Sequence, residues 1–210
     1  MKKAFVVDFD GTITVQDVGF SIIKQLASEG WEEIGNLWLS KKIGTAKCGK
    51  MQWDLIKHDE EYIKSFVGKF PINKGFREFV EEIKKNSYEM IVASDGYDIY
   101  INEILKTNGF EGLKVVCNSA KYDNGWKLSF LNTSEECGFC GNCKKRIVDD
   151  LKNRGYKVYY IGDGHSDICA SKDADVVFAK SFLKQHYENK ELPYHNFDNF
   201  FDILEYMKKN

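Results

Sequence analysis

A chain of 210 residues with net charge −2, 43% of its residues hydrophobic and 30% charged, fits one globular domain with at most a sizeable insertion. It has no basic surplus to neutralise phosphates, which argues against a nucleic-acid partner, and no apolar stretch nears the roughly 20 residues that span a bilayer. Met1-Lys2-Lys3 runs straight into an apolar segment, leaving no place for a removable signal peptide, and six cysteines in such a chain suggest reduced thiols; the expectation is a cytoplasmic protein.

In chain order, the apolar run from Ala4 to Val7 reads as a buried strand of a parallel sheet. It leads into DFDGT. Asp8 and Asp10, two positions apart in extended chain, share one face, and Gly11 lets the backbone turn directly after them. Alone, this is also an ordinary Asp/Gly turn. Residues 17–68 carry no strong strand signal. Four stretches read as helices: DVGFSIIKQLASEG, WEEIGNLWLSKKIG, AKCGKMQWDLIKHD and EEYIKSFVGKF, with Pro71 closing the block. From residue 74 helices alternate with strands: KGFREFVEEIKKN, YEMIVAS, YDIYINEILKTNG, LKVVCNSA. Asn124-Gly125 predicts a tight hairpin. A cysteine-rich loop follows, then the helix CKKRIVDDLKNRG, the strand KVYYIGD, a helix from about Ser166, the strand DVVFAK and two closing helices. The pattern predicts an α/β, doubly wound parallel sheet (Rossmann-like) with a helical cap inserted after the first strand: residues 1–13 and 74–210 form the core domain, 14–73 the cap.

Three strand ends carry chemistry. Asp8 and Asp10 follow the first strand; Ser94 ends the second, with Asp95 and Gly96 expected to open a helix; Asp163 ends KVYYIGD, with Asp167 four residues on. In an open α/β sheet these ends share the ligand-binding edge. Crowded carboxylates need a positive group, and hard oxygen ligands suit Mg²⁺ better than zinc. Ser94 and the backbone N–H groups after it suit a phosphate. Lys144 or Lys145, at a helix start, could add positive charge.

The ordered set DFDGT, SDG, a lysine at a helix start and GDGHSD resembles the haloacid dehalogenase superfamily of phosphatases. The helical insertion resembles the cap of its phosphoserine-phosphatase-like branch. FREFV, SDGYDIY, VVCNSAKYDN, CGNCK and DVVFAK are more closely similar to the methionine-salvage phosphatases that act on 2-hydroxy-3-keto-5-methylthiopentenyl 1-phosphate. The resemblance implies that Asp8 attacks phosphorus to give an aspartyl-phosphate, and that Asp10, with a raised pKa, protonates the leaving oxygen and then deprotonates water. It implies a Mg²⁺ held by Asp8, the backbone carbonyl of Asp10 and Asp163, with Asp167 in the outer shell. Gly11, Ser94, Asp95 and Lys144 would bind phosphate; Lys144 is preferred over Lys145 because it follows CGNC. Asp95 stands in the phosphate loop where those enzymes carry glycine. Asp17 is placed to reach substrate, or to cap the first cap helix, or both. The implied partner is a small-molecule phosphate ester, and the oligomeric state stays open.

CGFCGNC (Cys137, Cys140, Cys143) has CxxC spacing twice over, which fits a structural metal or plain thiols. Two other classes compete: a phosphorylation-dependent receiver, disfavoured by the helical insertion and GDGHSD, and a metal scaffold built on those cysteines. Phosphoserine phosphatase or a broad phosphomonoesterase is the alternative within the enzyme class. The three arginines, Arg77, Arg146 and Arg154, all fall outside residues 14–73. A substrate carboxylate is best held by an arginine fork. The cap offers Lys47 and Lys50 instead, with Phe20, Trp38, Met51 and Trp53 for apolar contact, so a neutral, partly apolar substrate remainder is expected over phosphoserine.

Overall fold

The computed structural model describes residues 2–134 and 138–209. One sheet of seven strands runs in the order β4–β3–β2–β1–β5–β6–β7. These are β1 Lys3–Val7, β2 Glu89–Tyr97, β3 Val115–Tyr122, β4 Trp126–Ser129, β5 Lys157–Gly162, β6 Val176–Ala179 and β7 His195–Asn196. All pairs are parallel except β3 with β4, the hairpin turning at Asn124 and Gly125, both at positive φ. β1 lies at the centre. Its side chains alternate between two buried faces, as a strand covered on both sides requires. Phe5 and Val7 join the larger core with Phe79, Ile101 and Phe200, while Ala4 and Val6 pack with Ile147, Val148 and Leu151.

Helices cover both faces: α5 Phe76–Lys85, α6 Asp98–Thr107, α7 Lys144–Asn153, α8 Ile168–Ser171, α9 Ser181–Asn189 and α10 Phe200–Lys209. The doubly wound architecture read from the sequence is the one observed. Chain order reverses at β1, with β2 and β3 on one side and β5 and β6 on the other, so a crevice opens beyond the carboxyl end of β1. Val7 pairs with Val92 and Ile161, which brings the residues after β1, β2 and β5 to one edge.

Between β1 and α5 lie four helices: α1 Val18–Leu26, α2 Trp31–Leu39, α3 Thr45–Trp53 and α4 Glu60–Val67. The two ends of this segment are tied together by a bridge between Thr14 and Ile72 and by the Asn73 N–H donating to the Ile13 carbonyl at 2.7 Å. Asp17 and Asp59 cap α1 and α4, each accepting a backbone N–H three residues on. Trp53, 2% exposed, meets Tyr97 and Trp126 edge-to-face, with ring centroids 4.7 Å apart in both pairs. It anchors α3 to the sheet.

Two local expectations are corrected. Asp95 and Gly96 do not open a helix: they stay extended within β2, and α6 begins only at Asp98. The pairing of Ala93 with Val116 is followed by that of Tyr97 with Asn118, so β2 bulges over Ser94–Gly96. The Gly96 N–H donates to Ser94 Oγ (2.9 Å) instead of starting a helical ladder. The strand β7 escaped the sequence reading because two exposed residues carry no periodicity.

Candidate active site

Asp8 follows β1 directly, 5% exposed, its N–H on the Ile161 carbonyl at 2.9 Å. One carboxylate oxygen accepts from Lys144 Nζ at 2.5 Å, and among the described residues no hydrogen bond falls on the other. The chain then turns through Gly11 at φ +77°, where a side chain would strike Asp163: a Cβ would lie 2.5 Å from Asp163 Oδ2. Glycine is required here for close approach as well as for the turn. Thr12 Oγ1 donates to Asp163 Oδ1 (3.1 Å), and Thr14 Oγ1 accepts the Gly11 N–H (3.2 Å).

Asp10 is held by four donors. The Val18 and Gly19 N–H groups reach Oδ1 at 3.0 and 3.1 Å; Tyr100 OH and Ser94 Oγ reach Oδ2 at 2.8 and 3.2 Å. Burial, then the charge of Asp17, pushes its pKa up to about 6, against the pull of Tyr100, Gly19 and Ser94. Tyr100, on α6, was not foreseen; no sequence signal ties it to Asp10 ninety positions away. Gly96 permits the contact, since a Cβ there would overlap the Tyr100 hydroxyl.

Lys144, 2% exposed, donates to Asp8, to Asp167 Oδ1 (2.7 Å) and to Ser166 Oγ (3.0 Å). Lys145 lies on the opposite, solvent side of the helix start, paired with Asp149 and Asp173. Asp167 is fully buried, and both its oxygens are taken: Lys144 and Tyr160 OH (2.6 Å) on one, the Asp163 and Gly164 N–H groups on the other. It shapes the GDGHSD turn. Asp163 is pushed up to about 6, by burial first and then by Asp167. Asp8 is likewise raised, by burial and then Asp167, with Lys144 opposing.

Carboxylate oxygens of Asp8, Asp163 and Asp167 lie within 4.8 Å of one another, and one buried ammonium balances them. The set is hard oxygen, and Asp8 and Asp163 each keep an oxygen without a protein donor, so it fits a small divalent cation; Asp167, saturated by protein donors, fits a place behind the ligands. Asp95 Oδ1 accepts the Asn142 N–H at 2.6 Å, so its carboxylate ties the serine loop to the approach of α7. Burial pushes Asp95 up to about 6. Of CGFCGNC, Cys137 lies outside the described residues. The described cysteines join no metal-binding cluster.

A cavity of about 660 Å³ opens onto these groups. Asp8, Asp10, Ser94, Asp95 and Asp163 form its floor; Phe20, Ile23, Trp31, Trp38, Trp53 and Tyr97 line apolar wall, with Asp17, Glu32 and His165 among the polar groups. No lysine or arginine is among its described lining residues, Lys47 and Lys50 included, and Met51 is also absent. The His165 pKa is lowered by burial, and its ring stacks on Phe182 with centroids 3.4 Å apart.

The chain is a phosphoric monoester hydrolase, built on a doubly wound sheet whose acid-lined carboxyl edge lies beneath inserted helices. The family model described as "Putative Phosphatase" matches residues 4–194, and the chain belongs to that family. Two relatives named 2-hydroxy-3-keto-5-methylthiopentenyl-1-phosphate phosphatase bear this out. The protein from Brevibacillus brevis is 29% identical, covering 100% of this chain and 97% of its own. That from Bacillus cereus is 31% identical, covering 96% and 94%. A solved phosphoserine phosphatase described as a phospho-aspartyl intermediate analogue superposes with a TM-score of 0.73 at 22% identity, covering 98% of both chains.

Proposed function

We propose that the protein is a Mg²⁺-dependent phosphomonoesterase working through an aspartyl-phosphate on Asp8, with residues 14–73 as a cap that encloses a small-metabolite substrate. The free oxygen of Asp8 attacks phosphorus; the bond to the ester oxygen breaks, and Asp10 delivers its proton to that oxygen. Asp10 then takes a proton from the water that attacks phosphorus, and the bond to the Asp8 oxygen breaks to release orthophosphate and the free carboxylate. Ser94 and Lys144 hold phosphoryl oxygens, a matter of positioned charge; the Gly11 N–H, expected from the sequence to join them, is instead taken up within the turn by Thr14 Oγ1 and the Gln16 carbonyl. Asp8, Asp163 and the Asp10 carbonyl would hold the Mg²⁺, which when bound supplies charge that lets anionic carboxylate and phosphate approach.

Asp10 must be protonated for the first step, so kcat/KM should fall as pH rises past about 6. Tyr100 donates to the ionised form and holds the pKa down. Tyr100→Phe therefore raises it, moving the alkaline limb to higher pH by about one unit. A pH profile of kcat/KM checks this, and an unmoved limb refutes the role of Asp10.

The substrate reading is carried by one observation: the cavity wall has no described lysine or arginine. A substrate carboxylate would meet aromatic rings and acids instead. This supports a neutral, partly apolar remainder, such as the methylthio enol phosphate in the names of the relatives. A second reading is favoured by Asp17, Glu32 and Asp95 beside Trp31 and Trp38: a remainder carrying an amine or quaternary ammonium. Side-by-side kcat/KM under one Mg²⁺ concentration should favour the enol phosphate over phosphoserine by at least about tenfold, because an unpaired buried charge costs more than about 1.4 kcal/mol. Phosphocholine, run alongside, decides for the second reading if it exceeds both. Phosphoserine hydrolysed faster than the enol phosphate overturns the first reading, and an enol phosphate faster than both phosphoserine and phosphocholine overturns the second.

A further inference from the structure

Asn142 lies in the glycine- and cysteine-rich loop two residues before Lys144, and it is 1% exposed. Every hydrogen-bonding group of its side chain is used. The amide nitrogen donates to the Ser94 and Val116 carbonyls, both at 2.8 Å, and the amide oxygen accepts from Asn132 Nδ2 at 2.6 Å. Its backbone N–H donates to Asp95 Oδ1, and its carbonyl accepts the Lys144 N–H at 3.0 Å.

The bulge in β2 explains why these carbonyls are open to a side chain. Residues 94–96 fall between the pairings of Ala93 with Val116 and Tyr97 with Asn118, so the ladder between β2 and β3 is interrupted there. Buried carbonyls left without donors are costly. Asn142 supplies donors to Ser94 and Val116, and Asn118 Nδ2 supplies one to the Asp95 carbonyl at 2.7 Å. A single residue thus ties the end of β2 and the neighbouring β3 through its side-chain amide, and the first residue of α7 through its carbonyl.

We propose that Asn142 is a positioning residue that fixes the Ser94 hydroxyl and the Lys144 ammonium in one register, so that both meet the same phosphoryl group. This rests on the reading of Ser94 and Lys144 as phosphoryl ligands. It also gives the cysteine-rich loop a role that needs no metal. Asn142 acts through its neighbours: its side-chain amide is committed to Ser94, Val116 and Asn132.

The test uses Asn142→Ala, Asn132→Ala and Ser94→Ala in the full chain with Mg²⁺. It measures kcat and KM for p-nitrophenyl phosphate, inhibition by orthophosphate and the thermal midpoint. Asn142→Ala should lower kcat/KM by about 100-fold, the scale of a displaced catalytic group, and weaken orthophosphate inhibition in parallel. Asn132→Ala, which removes the hydrogen bonds to Asn142 Oδ1 and to the Cys143 carbonyl (3.1 Å) but leaves the Asn142 donors in place, should show the same pair of changes to a smaller extent, about tenfold or less. The proposal is overturned if folded Asn142→Ala keeps kcat/KM within threefold of wild type, or loses activity while orthophosphate binds as before. If Asn142→Ala does not fold, unchanged orthophosphate inhibition in Asn132→Ala overturns it. Ser94→Ala separates the two levels: wild-type kcat/KM and phosphate inhibition in that variant would refute the phosphoryl-ligand reading itself.

Discussion

Asp8→Asn should abolish phosphate release, by about 10⁴-fold or more, while the fold survives. An amide is a poor nucleophile and cannot form the phosphoaspartate, yet it keeps the shape of the carboxylate and an oxygen to accept from Lys144. Lys144 retains Asp167 and Ser166 as partners. Asp167 remains as a buried counter-ion, so losing the Asp8 charge does not leave the ammonium unpaired. The thermal midpoint should stay within a few degrees of wild type. Beryllium fluoride, which mimics a phosphorylated carboxylate, should raise the midpoint of the wild type with Mg²⁺ and leave the variant unmoved. Turnover near the wild-type level by Asp8→Asn would sink the mechanism.

Lys144→Met should cost both activity and stability. The ammonium lies between two buried carboxylates, with 1% of its side chain exposed. Removing one partner of a buried ion pair costs about 3–5 kcal/mol, because the charge left behind has neither water nor a counter-ion. Here Asp8 and Asp167 would be left facing each other, with Asp163 adjacent. Thermal unfolding without metal should show the full loss, and titrated Mg²⁺ should recover part of it by supplying the missing positive charge. Activity should stay low even at saturating Mg²⁺, since a phosphoryl-binding donor is gone. Lys145→Met provides the contrast. Its ion pairs with Asp149 and Asp173 are solvent-exposed and worth little, so both stability and kcat/KM should stay near wild type. The reverse pattern, with Lys145 critical and Lys144 dispensable, would move the phosphate site to the other lysine.

Much of the architecture is legible in local sequence because it depends on local periodicity. The all-apolar run of β1, the four amphipathic stretches of residues 17–68 and the Asn124-Gly125 turn each report their own state without reference to distant residues. The rule that strand ends share one sheet edge then suffices to gather Asp8, Asp10, Ser94 and Asp163, whose chain separation exceeds 150 positions, and the observed sheet order does bring those ends together. The two spots where local reading failed have specific causes. Asp95 and Gly96 look like a helix start, but the bulge opposite β3 and the bond from Gly96 to Ser94 keep them extended. β7 is simply too short to leave a pattern.

The surroundings of the acids were decided only by tertiary structure. For the adjacent Lys144 and Lys145 only the resemblance favours the residue that follows CGNC; burial between Asp8 and Asp167 separates them physically, because a helix turns successive side chains about 100° apart. Tyr100 reaches Asp10 from α6 only because Gly96 leaves room for its hydroxyl. Asn142 looks like a loop residue until a broken strand ladder presents it with carbonyls to satisfy. The cavity's lack of a described lysine or arginine is also spatial: Lys47 and Lys50 belong to the same helix as Thr45, Cys48, Gly49, Gln52 and Trp53, which line the cavity while the two lysines do not. Sequence alone determined the order of elements and the class of chemistry, since hydrophobic period and residue type act locally. Which side chains meet, and at what charge, was left to packing, since contact and desolvation exist only once distant segments share a core.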